Sequence, residues 1–86
     1  MMEPEVLIKS LVREIDAILA GKPMEVGGEA LAVACLWFAE GMRNTDHPER
    51  ERIRAQALES YSKLTKFLGL SDDDVFEHEA RFRARH

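Results

Sequence analysis

The stretch GGEALAVACLWFAEGM, residues 27–42, is apolar at every position from Ala30 to Ala39. Ten such residues fall well short of the ~20 needed to cross a bilayer. A helix that is apolar nearly all round must instead be surrounded by other protein, which is demanding in a chain of 86 residues. A chain of that size buries only about 60–65% of the surface its unfolded form exposes, so one core is the ceiling. The question is what covers each side of this helix.

Helical angles divide its side chains. At ~100° per residue, Leu31, Ala34, Cys35, Phe38 and Met42 cluster on one side and form the expected inward face. The opposite side carries Glu29, Glu40 and Arg43 at its ends, with Val33 and Leu36 between them and Trp37 at the flank.

The flanking segments supply two amphipathic helices. In PEVLIKSLVREIDAILAG the residues Ile8, Leu11, Val12, Ile15, Ile18 and Leu19 fall on one stripe, with Leu7 at its edge. Pro4 suits the first turn and Gly21 the position just past the end. In NTDHPERERIRAQALESYSKLTKFLGL the stripe is Ile53, Ala57, Tyr61, Leu64, Phe67 and Leu68, and Gly69 is the stop. Asp46 stands three residues before Glu49, a capping-box spacing that predicts a start at about residue 47 with Pro48 in the first turn. Glu59 and Lys63 are spaced for an exposed ion pair.

Between the first two helices, Pro23 and the pair Gly27–Gly28 mark a connection, and the second helix is expected to begin near Val26 to Gly28. Ser71 is a good N-cap for a last helix, with Asp72, Asp73 and Asp74 at its positive end and Arg81, Arg83 and Arg85 towards its negative end. Its large apolar residues are Val75, Phe76 and Phe82, which predicts a short or frayed helix docked by those side chains. No strand-like alternation or repeat interrupts this order. The expectation is one all-α domain: a single-domain bundle of three main helices and a short C-terminal fourth, at about 4–20, 27–43, 47–68 and 72–84.

Composition narrows the function classes. Hydrophobic residues at 45% and charged residues at 33% describe a folding domain rather than a disordered chain. Twelve Lys and Arg against 16 Asp and Glu leave a formal charge of −4, which disfavours a phosphate-driven nucleic-acid partner and suggests a protein with basic patches. A single cysteine excludes an internal disulfide. The acidic opening MMEPEVLIKS lacks the features of a secretory signal, so a soluble, unprocessed cytoplasmic protein with no membrane contact is expected.

No residue set assembles a reaction centre. Cys35 has apolar helical neighbours and reads as a buried, inert thiol. Asp74 and His78 stand four apart, but two ligands do not make a metal site, and neither His47 nor His86 extends the pair. SDDDVFEHE lacks the glycine of a calcium loop. Gly27–Gly28 lacks the strand and Gly-x-x-x-x-Gly-Lys context of a phosphate loop. Glu40 and Arg43 form a rim ion pair. No enzyme, cofactor or metal is expected.

The surplus apolar surface of the second helix points to association. Leaving Val33 and Leu36 exposed forgoes roughly 1.5–3 kcal/mol each, and two amphipathic helices leave little to cover them. The expected interface is Val33, Leu36, Trp37, Glu40 and Arg43, in a homodimer through the second helix. The alternative is that the fourth helix covers this patch within one chain. The functional expectation is a small non-enzymatic interaction or regulatory module with a macromolecular partner, in the general class of inhibitors, antitoxin or immunity proteins and phage-encoded accessory proteins. Two other readings compete. One is a helix-turn-helix DNA binder reading through Arg50, Arg52 and Arg54, against which stand the long 42–48 connection and the interleaved glutamates. The other is an apolar-ligand carrier with a pocket of Trp37, Phe38, Tyr61 and Phe67.

Overall fold

The computed structural model describes residues 3–24 and 27–84; the expectations for Val26, Arg85 and His86 lie outside them. Four helices follow in order: α1 (Pro4–Leu19), α2 (Gly28–Arg43), α3 (Arg50–Leu68) and α4 (Asp72–Ala84). The described residues contain no strand, and the chain is one all-α bundle.

α1 and α3 bury most of the stripes that their periodicity predicts, the exception being Phe67, which is 53% exposed near the end of α3. Ile8, Ile15 and Ile18 of α1 and Ile53, Ala57 and Leu64 of α3 are buried, with Leu11, Val12 and Leu19 half-buried beside them. The core has two lobes. One joins Ile15, Ile18, Ala32, Val33, Cys35, Leu64 and Val75, drawing on all four helices. The other joins Ile8, Ala39, Met42, Ile53 and Ala57. An ion pair from Arg52 to Glu5 ties α3 to the start of α1.

α2 turns a different face inward from the one its large residues indicate. Gly28, Ala32, Cys35, Ala39 and Met42 are buried, whereas Leu31, Ala34 and Phe38 of the expected inward set are half-buried. Apart from Val33, which is buried in the lobe that also contains Val75 of α4, these five buried positions alternate in steps of four and three, the spacing of a helix–helix seam. Four of the five are small. A seam of small side chains lets two helix backbones approach, and the larger residues then pack along its flanks. At Gly28 the Leu68 side chain of α3 fills the space that a Cβ would take.

The helix ends follow local chemistry. Gly69 adopts φ +70°, and the Gly69 N–H donates to Lys66 O while the Leu70 N–H donates to Thr65 O, the two-bond closure that uses a left-handed residue. Gly21, at φ +102°, closes α1 in the same way. The start of α3 departs from expectation. α3 begins at Arg50, after a turn at Pro48 and Glu49, and Asp46 makes no side-chain cap. The His47 ring takes the role instead, its Nδ1 accepting the Glu49 N–H at 3.0 Å, while Arg50 donates to Thr45 O. A residue preceding proline is held out of the helical region, which pushes the first turn beyond Pro48.

At α4 the expected cap is present and reciprocal. The Asp74 N–H donates to Ser71 Oγ at 3.1 Å, and the Ser71 N–H donates to Asp74 Oδ2 at 2.9 Å. The Ser71 N–H first, and the Ser71 side chain after it, hold the Asp74 carboxyl below the ordinary carboxylate range. A carboxyl whose pKa is lower folded than unfolded contributes in full above its unfolded value, about 4, and loses that contribution as pH falls through the folded value. Acidification below about pH 4 is therefore expected to loosen α4. Trp37, the only tryptophan, reports this as a red shift in emission. Asp74→Asn is expected to be less acid-sensitive than the native chain; an unchanged acid profile would remove the cap from this role.

Candidate interaction surface on helices 2, 3 and 4

α4 folds over the outward side of α2. Val75 is fully buried against the lobe that contains Val33, and Val33 itself is only 5% exposed. The expectation that Val33 awaits another chain is thereby corrected: its cover is intrachain, and Leu36 is half-buried beside the same lobe. α4 spans Asp72–Ala84, the bounds expected from sequence.

Trp37 is the second fastener. Its ring meets Phe82 edge-on, with centroids 5.6 Å apart and planes at 60°. The Trp37 Nε1–H donates to Glu79 Oε2, and the Arg83 guanidinium lies 5.8 Å from the indole centroid. Aromatic pairing and cation–π contact each add roughly 0.5–1.5 kcal/mol at such partly exposed sites. At the start of α4, the Tyr61 hydroxyl donates to Asp72 Oδ1 at 2.7 Å. Burial first, and then that bond to a carboxylate, push the Tyr61 phenol above its ordinary pKa.

α4 does not cover everything. Trp37 remains 41% exposed and Phe76 54% exposed. Between α2, α3 and α4 runs an open groove of about 330 Å³. Each wall is one helical stripe: Leu36, Glu40 and Arg43 from α2, Arg54 and Leu58 from α3, and Phe76, Glu79 and Arg83 from α4. Trp37 and Ala39 complete the lining. Four residues of the expected interface, Leu36, Trp37, Glu40 and Arg43, thus share one groove, while Val33 lies beneath α4.

Of the other lining residues, Phe76, expected to dock α4, instead stands exposed in the groove, and Arg54 is expected from sequence only as a DNA contact. Phe76, Glu79 and Arg83 do recur at helical spacing, but their meeting with Arg54 and Leu58 depends on where α4 docks. Three arginines face two glutamates here. Glu40 and Arg43 pair loosely at 3.8 Å, and Arg83 lies 3.7 Å from Glu79. Arg54 makes no hydrogen bond or ion pair with the described residues.

On the other side of Trp37 is a smaller, almost wholly apolar hollow of about 210 Å³, lined by Ala30, Val33, Ala34, Trp37, His78 and Phe82. The carrier pocket expected from sequence does not form. Phe38 packs with the lobe around Ala39 and Ile53, Phe67 is exposed, and Tyr61 reaches to Asp72. The observed hollow is also below the roughly 300–1,000 Å³ of small-molecule sites.

The remaining candidates are placed as follows. Cys35 is fully buried, and burial pushes its thiol up to about 11. Asp74 is engaged by Ser71 and His78 lines the apolar hollow; among the described residues no three potential ligands gather as a metal site. Arg52 is held by Glu5 and Glu49, and Arg50 by Thr45 O. Glu59 and Lys63 form the expected exposed pair at 3.1 Å. Among the described residues no helix is long and apolar enough to cross a membrane. No protein family, curated protein or solved structure matches the chain.

Proposed function

We propose that this chain is a small non-enzymatic interaction module that acts by binding another protein through the groove between α2, α3 and α4. The observation that carries this reading is the exposed pair Trp37 and Phe76 beside half-buried Leu36 and Leu58 in one charged-rimmed groove. Large aromatic residues flanking a depression, ringed by arginine, are the composition of an association site rather than of ordinary surface.

A homodimer through α2 is the less economical form of the same idea. Val33 is covered within the chain, so the apolar surplus that calls for a second copy is smaller. A two-fold contact would also bring two grooves with surplus arginine face to face. The DNA-binding form loses support as well, because two of the three arginines it needs are held by the chain's own acceptors and α3 follows a six-residue connection, residues 44–49. Cys35, kept protonated by burial, offers no nucleophile.

The test is capture from the source organism with native protein, with Phe76→Asp in the groove and with Phe67→Asp, an exposed phenylalanine outside it. A partner retained by native protein and Phe67→Asp and lost with Phe76→Asp is the expected result. A partner equally retained by all three would move the site elsewhere.

A further inference from the structure

The groove's charge identifies the chemistry of its occupant. The chain as a whole is acidic, at −4, and on composition alone it suits a basic partner. Its groove has the opposite character. Arg43, Arg54 and Arg83 face Glu40 and Glu79, so the rim carries a local cationic excess. Both glutamates are already engaged: Glu40 by Arg43, and Glu79 by Arg83 and the Trp37 indole. Arg54 is the cation left over, half-buried on the α3 wall, with no acceptor among the described residues.

Resting on the proposed reading of the groove as a protein-binding site, we infer that its occupant is an acidic amphipathic helix of a different protein. Such a helix places apolar side chains against Leu36, Leu58 and Phe76 and a carboxylate against the Arg54 guanidinium. The groove is walled by three helices and offers no sheet edge with which a strand could pair, so a helix packed against helices is the form that fits it. The guanidinium favours a carboxylate because it presents a planar fork of donors to two oxygens. A second copy of this chain fits less well, since two-fold pairing brings together two grooves with the same arginine excess and two chains of the same net charge.

The test is selection of a displayed library of helical peptides on the immobilised full chain, followed by anisotropy titrations of the enriched peptides. Arg54→Glu and Phe76→Asp are used beside native protein, with circular dichroism confirming that each variant is folded. The expected result is enrichment of peptides with a glutamate or aspartate beside apolar anchors. Changing that carboxylate to lysine should weaken binding to native protein by about tenfold or more, and Arg54→Glu should restore the lysine peptide. Enriched peptides that need Phe76 but are basic, or are indifferent to Arg54, would overturn the acidic occupant and leave the groove as a binding site. Peptides indifferent to both positions, or no enrichment, would overturn the groove itself. A native chain that sediments as a dimer and is dispersed by Arg54→Glu would assign the groove to a second copy and overturn the inference.

Discussion

Replacing Val75 by aspartate is expected to detach α4 and lower stability by about 3 kcal/mol. Val75 is the one fully buried side chain of α4, packed in the same lobe as Val33, Cys35 and Leu64. Its burial alone is worth roughly 1.5–3 kcal/mol. An unpaired carboxylate in that position adds a desolvation penalty, which the chain avoids by releasing the helix. Release then weakens the Trp37–Phe82 contact and the Trp37–Glu79 bond, because both depend on α4 being docked. With a urea m-value of about 1 kcal/mol/M, the expected midpoint falls by about 3 M, and Trp37 emission shifts red. Val33 and the rest of Leu36 become exposed at the same time, so the variant is expected to self-associate. A Val75→Asp chain with native emission, midpoint and mass would show that α4 does not cover α2.

A second large effect is expected from a change that makes the chain more apolar. Ala32→Leu keeps helix propensity almost constant, since alanine and leucine are both strong helix formers. On hydrophobicity alone it would stabilise. Ala32 is fully buried in the seam of small residues between Gly28 and Cys35. Added methylenes there must separate α2 from its neighbours or force strained rotamers, at a cost of about 2–3 kcal/mol. In a domain of this size the melting temperature is expected to drop by about 10–20 °C. The same exchange at Ala55, exposed on α3, is expected to stay within about 0.5 kcal/mol of native. Equal effects at the two sites would mean that the seam is not closely packed.

Ala32 also marks where sequence reasoning reaches its limit. α1 and α3 are legible because each has a polar face, so their apolar residues define one direction. α2 has almost none, and only Glu29, Glu40 and Arg43 at its ends constrain its rotation. Weighting large residues then selects Leu31, Phe38 and Met42, whereas helix packing selects the small residues that permit close approach. The caps divide in the same way. Ser71 and Asp74 satisfy each other within one turn, and their bond is readable from spacing. Asp46 has the right spacing too, but His47 and Pro48 supply a competing turn, and His47 accepts the bond that the capping box would have used elsewhere.

The candidate site was half legible. Leu36, Trp37, Glu40 and Arg43 follow from a single helix, because residues on one stripe are neighbours wherever that helix docks. Arg54, Leu58, Phe76 and Glu79 join them only through tertiary placement. The placement of α4 reversed two expectations together. It covers Val33 from within the chain, and it turns the local charge of the surface positive on a protein that is acidic overall. On the proposed reading, association belongs to the groove beside α2 rather than to the α2 surface itself.

Sedimentation equilibrium of the full chain at about 100 μM, with Leu36→Arg in parallel, distinguishes α4 from a second copy as the cover of α2. If α4 is the cover of α2, the native protein has the mass of one chain. A native mass of two chains that Leu36→Arg returns to one would place a second copy, rather than α4 and an unlike partner, on this side of α2.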